Sequence, residues 1–98
     1  MNINIEKTNG ATVIALEGRL DTTTAPELEK AINDEGEVLK SLVLDFKGVD
    51  YISSAGLRVL LTAQKKMNVQ GSMELRNVSE AVMDVFEMTG FADILVIK

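Results

Sequence analysis

SLVLDFKGVDYISSAGLRVLL, residues 41–61, is the stretch from which the fold can be read. Ser41 to Phe46 is a short apolar run suited to a strand buried on both faces. Lys47-Gly48 reads as a turn, leading through Val49-Asp50-Tyr51-Ile52 into Ser53-Ser54-Ala55-Gly56. Beyond it Leu57, Leu60, Leu61, Gln64 and Met67 recur on one helical face, with Arg58, Thr62, Lys65 and Lys66 mainly on the other. A buried strand delivering its chain into an amphipathic helix is half of a βαβ unit, so a parallel pair of strands is expected.

The flanks repeat the pattern. Upstream, Ile3 and Ile5 alternate with polar residues, and Thr12 to Glu17 forms a second β-rich run. Asn9-Gly10 between them supplies the positive φ angles of a tight hairpin turn. Gly18 to Thr23 is expected to be a loop, and Thr24-Ala25-Pro26-Glu27 has the form of a capping box, with Pro26 in the first turn. That helix continues through Leu28, Ala31 and Ile32 and stops near Gly36. Downstream, Gly71 turns into a strand at Met73 to Val78. Ser79 caps a third helix with a core face of Val82, Val85, Phe86 and Thr89, and Gly90 sits in the left-handed position after it. Ile94 to Ile97 is expected to close the chain as a strand. The order ββαβαβαβ, without linker or repeat, gives a single α/β domain with a mixed sheet, parallel where helices join its strands.

Composition narrows the function. The chain has 98 residues, room for one small domain, and 46% of them are hydrophobic, enough for one core. Cysteine and histidine are both absent, which removes disulfides, thiolate metal sites, a Ser-His-Asp triad and an imidazole base. A net charge of -5 opposes nucleic-acid binding, which depends on Lys and Arg neutralising phosphates. No stretch approaches the ~20 apolar residues of a membrane span, and MNINIEK lacks the basic then apolar order of a signal peptide, so a cytoplasmic protein is expected.

The informative constellation is Ser53 to Gly56, two hydroxyls and two minimal side chains at a helix start. Small residues leave the first-turn N–H groups uncovered, and those donors with the positive end of the helix dipole favour an anion. A serine phosphorylated here would meet a prepared electrostatic setting. Serine is also a preferred N-cap, and a helix can open with Ser-Ser for that reason alone. Gly56 adds weight, because glycine costs about 0.8 to 1 kcal/mol relative to alanine within a helix and so points to close approach by a backbone or partner. Neither a nucleophile elbow, a phosphate-binding loop nor a dinucleotide fingerprint is present. Asp21, Asp45 and Asp50 read as turn formers rather than metal ligands, and Tyr51 and Phe86 as core. Met83, Met88 and Phe91 would form an adaptable apolar patch if exposed. No catalytic or metal-binding set and no cofactor is expected.

The segment LDFKGVDYISSAGLRVLL, residues 44–61, resembles the signature of the STAS domain of anti-sigma factor antagonists, in which a strand, a turn and an aromatic-apolar pair lead to a D-S-[ST]-G-L helix start. EGRLDTTTAPEL, residues 17–28, is similar to the family's G-x-L-D loop and first helix, and RNVSEAVMDVFEMTGFADIL, residues 76–95, to its closing elements. The resemblance spans essentially the whole chain as one STAS domain. It implies a partner switch in bacterial transcription. The unphosphorylated protein binds a serine-kinase anti-sigma factor and frees the sigma factor, the kinase inactivates it by phosphorylation, and a PP2C-type phosphatase restores it. The family's phosphoserine falls on Ser54. Ser53, standing where many antagonists carry aspartate, is a second candidate, while Ala55 occupies the place of a Ser or Thr. Asp21 matches the loop aspartate that lies near the phosphorylation site in the family. Asp21, Thr22, Ser53, Ser54, Ala55, Gly56, Leu57 and Arg58 are the expected partner-binding residues. The alternative implied by the same resemblance is a non-switching STAS subunit, such as the accessory protein of a lipid-transport ATPase, which would use the helix start only for docking.

Overall fold

In the computed structural model, which describes residues 1–98, strand β1 (Asn2–Thr8) turns back at Asn9-Gly10 into β2 (Ala11–Leu20). Asn9 and Gly10 take φ values of 47° and 83°, both left-handed, as the two-residue hairpin demands. Helix α1 (Ala25–Asp34), strand β3 (Ser41–Ile52), helix α2 (Ser54–Gln70), strand β4 (Ser72–Arg76) and helix α3 (Glu80–Thr89) follow. The sheet order is β1-β2-β3-β4, with β1 antiparallel to β2, and β2, β3 and β4 mutually parallel. The protein is therefore a single α/β domain with a mixed sheet, in the order ββαβαβα.

The expected closing strand at Ile94–Ile97 shrinks to one parallel bridge, Leu75 with Ile97, held by bonds from Leu75 N–H to Val96 and from Lys98 N–H to Leu75. The chain from Phe91 to Asp93 is a 3-10 turn, and the N–H groups of Ile94 and Leu95 fold back on the Phe91 carbonyl. Too little extended chain is left for a ladder. Leu95 still reaches the core, 5% exposed.

Strands β2 and β3 both outrun their expected limits. Gly18, Arg19 and Leu20 belong to β2 rather than to a loop, and Lys47-Gly48 is not a turn but an interior part of β3. The register explains why. Ala15 pairs with Asp45 and Glu17 with Gly48, then Gly18 with Val49 and Arg19 with Tyr51, so β3 carries an extra residue at each of two bulges. Each bulge shifts the side-chain phase by one. Burial accordingly runs Leu42, Leu44, Phe46, then Val49, then Ile52. Gly48 permits the first bulge, because a Cβ there would lie 2.9 Å from the Leu16 carbonyl oxygen and 3.0 Å from the Glu17 Cα.

All three helices cover one face of the sheet. Leu28 and Ile32 of α1, Leu57, Leu60 and Met67 of α2, and Val82 and Phe86 of α3 meet Ile14, Leu16, Leu44, Phe46 and Leu75 in one apolar cluster. Leu61 lies only half-buried, with Val59 and Ala63 buried on α2 instead. On α3, Thr89 is exposed and bonds back to the Val85 carbonyl, so the core face is narrower than expected. Met83 and Phe91 pack against the core, which leaves Met88 alone outside and no patch of the three. The opposite face of the sheet carries no helix and displays Val13, Ala15, Asp45 and Glu74, the alternate residues of the strands. No helix is long and apolar enough to cross a membrane.

Candidate functional site

The parallel pairing of Leu20 with Ile52 brings the ends of β2 and β3 level, so the starts of α1 and α2 emerge side by side from the carboxyl edge of the sheet. A bond of 2.9 Å from the Ser53 N–H to the Leu20 carbonyl locks the two junctions together. Gly56 completes the fit. A Cβ at Gly56 would lie 2.8 Å from Ile52 Cγ1 and 2.9 Å from Leu20 Cγ, so its place in the first turn is set by close approach to the strand ends.

Ser53 is the N-cap of α2, with extended backbone angles, yet its side chain makes no capping bond. Its hydroxyl oxygen is covered and has no partner, whereas Ser54 is exposed. The first bond of the helix runs from Leu57 N–H to the Ser53 carbonyl at 3.0 Å, leaving the N–H groups of Ser54, Ala55 and Gly56 without a backbone acceptor. Ala55 is half-buried, Arg58 is exposed, and Gly56 and Leu57 are buried beneath the helix start. Of the expected contact residues on α2, Ser54 and Arg58 face solvent most openly.

On the α1 side the capping box does not form. Thr24 makes no cap bond to the helix and Glu27 does not reach back. Instead the Thr24 hydroxyl accepts the Asp21 N–H at 2.8 Å and donates to the Arg19 carbonyl at 2.6 Å. Asp21 Oδ1 accepts the Thr23 hydroxyl at 2.8 Å and the N–H groups of Thr23 and Thr24 at 3.0 and 3.2 Å. An aspartate competes well for such local donors, which is why it displaces the threonine as organiser of the turn. The Thr23 hydroxyl first, then these backbone donors and the Thr24 hydroxyl, hold the Asp21 carboxyl below the usual aspartate value. Thr22 projects into solvent beside it.

Asp45 does other work. Its Oδ1 accepts the Asn77 amide and the Lys47 N–H, each at 3.0 Å, and the Asn77 amide is the main cause of its lowered pKa. Asp45 thus ties β3 to the residue after β4, where Asn77 holds a φ of 58°. Asp50 is exposed on β3. The three aspartates occupy separate positions and do not gather. Tyr51, expected in the core, is 40% exposed and carries the Arg19 guanidinium 3.8 Å above its ring. The second bulge turns it outward, a feature that periodicity in one strand cannot reveal. The largest concavity, about 590 Å³, lies on the helix-free face between Asn2, Asn4, Glu17 and Lys47 and does not include Ser53 or Ser54.

Because both carboxyls are depressed in the folded state, their contribution to stability is complete above the unfolded aspartate pKa of about 3.9 and is lost as pH falls through the lower folded values. Melting temperatures measured from pH 6 to pH 2 are expected to hold and then fall below about pH 4. Asp45→Asn should flatten that acid limb. An unchanged slope in the variant would contradict the assignment.

These features define a class: a small mixed-sheet α/β module whose polar chemistry is set out on its surface, at two adjoining helix starts, rather than inside a cleft. The family model of the STAS domain matches residues 2–98, and the chain belongs to that family. It is 38% identical over 98 residues to BtrV of Bordetella bronchiseptica, a proposed anti-sigma factor antagonist, with 96% of this chain and 83% of that protein covered. It is 35% identical over 106 residues to the anti-sigma-B factor antagonist of Listeria monocytogenes, with 100% of this chain and 90% of that one covered. Among solved structures, the fold matches the phosphorylated form of the Bacillus cell fate determinant SpoIIAA with a TM-score of 0.75 at 21% identity, over 99% of this chain and 91% of the other.

Proposed function

We propose that this chain is an anti-sigma factor antagonist switched by phosphorylation of Ser54. In the unphosphorylated state it binds a serine-kinase anti-sigma factor in the cytoplasm and releases the sigma factor. The kinase then modifies Ser54 and ends the contact, and a PP2C-type phosphatase restores it. It acts by binding and carries out no catalysis of its own. The observation that carries this reading is the exposed Ser54 at the start of α2, beside the Asp21 loop, in a chain whose relatives are anti-sigma factor antagonists.

The physical chemistry supports Ser54 over Ser53. A hydroxyl must reach a kinase to accept phosphate, and that of Ser53 is covered while Ser54 is open. A phosphate on Ser54 adds about -1.5 to -2 charges. The free N–H groups of the first turn and the helix dipole can hold it, so modification need not unfold the helix. On the contact surface its bulk and charge oppose docking, next to an aspartate kept ionised by its own turn.

Incubating the chain with the anti-sigma kinase of its own organism and Mg-ATP, followed by peptide mass spectrometry, tests this. One phosphate on Ser54, abolished in Ser54→Ala, is the expected result. Phosphate on Ser53 would move the site by one residue, and no incorporation would sink the switch.

A further inference from the structure

The stacked pair Arg19 and Tyr51 has no structural task that its exposure would suggest. Leu20 and Ile52, paired across β2 and β3, are buried at 0% and 5% exposure, so their predecessors Arg19 and Tyr51, also paired, project from the helix-free side. The Arg19 side chain is 61% exposed, and its nearest carboxylate contact is Asp21 Oδ2, 3.8 Å from Nε. That separation is beyond a hydrogen bond, so the guanidinium fork is unfilled while its flat face is fixed on the ring. Arginine held in this way loses little further freedom when it binds, and arginine and tyrosine are both among the residue types enriched at the energetic centre of interfaces.

Position decides what it serves. Tyr51 precedes Ser54 by three residues, at most about 11 Å of chain. A standard interface buries about 800 Å² per partner, a disc of about 16 Å radius. A partner centred on Ser54 that wraps over the carboxyl edge of the sheet therefore reaches the Arg19–Tyr51 rung on the helix-free side. Resting on the partner-switch reading above, we propose that this stack is part of the docking surface and that Arg19 receives a carboxylate of the anti-sigma factor. The planar fork, unfilled and steadied from below by the ring, matches a carboxylate bidentately. Arg19, near the end of β2, also places a cation beside the Asp21 turn, whose carboxylate would repel the same partner group if Arg19 were absent.

Titration calorimetry with the purified anti-sigma factor, at low and moderate salt, tests the assignment in the full chain. Arg19→Lys keeps the charge but loses the fork and the stack, and is expected to bind about tenfold more weakly. Arg19→Gln should lose at least as much and flatten the salt dependence. Tyr51→Phe keeps the ring and should bind like the parent, while Tyr51→Leu should follow Arg19→Lys. Thermal melts will show each variant folded, since both side chains lie outside the core. Parent-like affinity for Arg19→Lys or for Tyr51→Leu overturns the proposal. Ser54→Asp run alongside separates the two readings: if it binds weakly while the Arg19 variants bind normally, only the stack's role falls. If the unmodified chain itself does not bind, both fall.

Discussion

Ser54→Asp is expected to weaken binding of the anti-sigma factor by roughly 30- to 1000-fold, while Ser54→Ala binds like the unmodified chain. The asymmetry follows from the geometry of the α2 start. Ser54 is the first helical residue after the cap and is exposed, so removing its hydroxyl disturbs little within the fold. A carboxylate at the same point would be desolvated against the partner, and its repulsion from Asp21, whose turn keeps it ionised, would strengthen as docking excludes water. Losing a desolvated hydrogen bond and adding repulsion together remove about 2 to 4 kcal/mol, which is the stated range. Calorimetry on the parent, Ser54→Ala, Ser54→Asp and the phosphoprotein measures it. Equal affinity for all four would end the partner-switch reading and favour a subunit that merely docks through the same helix start.

The geometry of the candidate site was legible in the sequence to the extent that local chemistry determined it. Ser53 to Gly56 at a strand-to-helix junction, the Asn9-Gly10 hairpin, and the Ser79 and Gly90 caps of α3 are each set by one or two residues whose backbone or hydrogen-bonding preference leaves little choice. Where the sequence misled, a non-local pairing had intervened. Gly48 looked like a turn because glycine usually is one. It is a bulge because Leu16 and Glu17 of β2 press against it, and nothing within residues 41–52 records that contact. The same bulges carry Tyr51 out of the core and under Arg19, which is why an aromatic read as packing became surface. The Thr24 capping box failed for a local reason instead: Asp21, which offers a charged oxygen, holds the Thr24 N–H that Glu27 would have taken, and the Thr24 hydroxyl is engaged by the Asp21 N–H and the Arg19 carbonyl. The open hydroxyl of Ser54 and the covered one of Ser53 could not be told apart from their order in the chain, since that difference arises where α2 packs on Leu20.

Phe86→Ala should be among the most destabilising single truncations, because the ring is fully buried and α3 is held to the sheet by very few side chains. Val82 and Phe86 are its only buried residues, and the Phe86 ring, 0% exposed, meets Phe46 of β3 with centroids 6.4 Å apart and planes tilted by 55°. Removing a buried phenyl group costs about 3 to 5 kcal/mol, against a total of about 5 to 15 for a domain of this kind. For a chain of this length each kcal/mol shifts the melting temperature by about 4 to 8 °C, so a fall of at least about 12 °C is expected. The loss should also be cooperative, since Phe46 and Phe86 belong to the same 22-residue cluster that seats α1 and α2. Circular dichroism and hydrogen exchange distinguish the outcomes. A single transition at lower temperature, with the β2 and β3 amides losing protection together with α3, is the expected result. Early exchange confined to α3, with an unshifted main transition, would show that α3 is a separable cover rather than part of the core that positions the starts of α1 and α2.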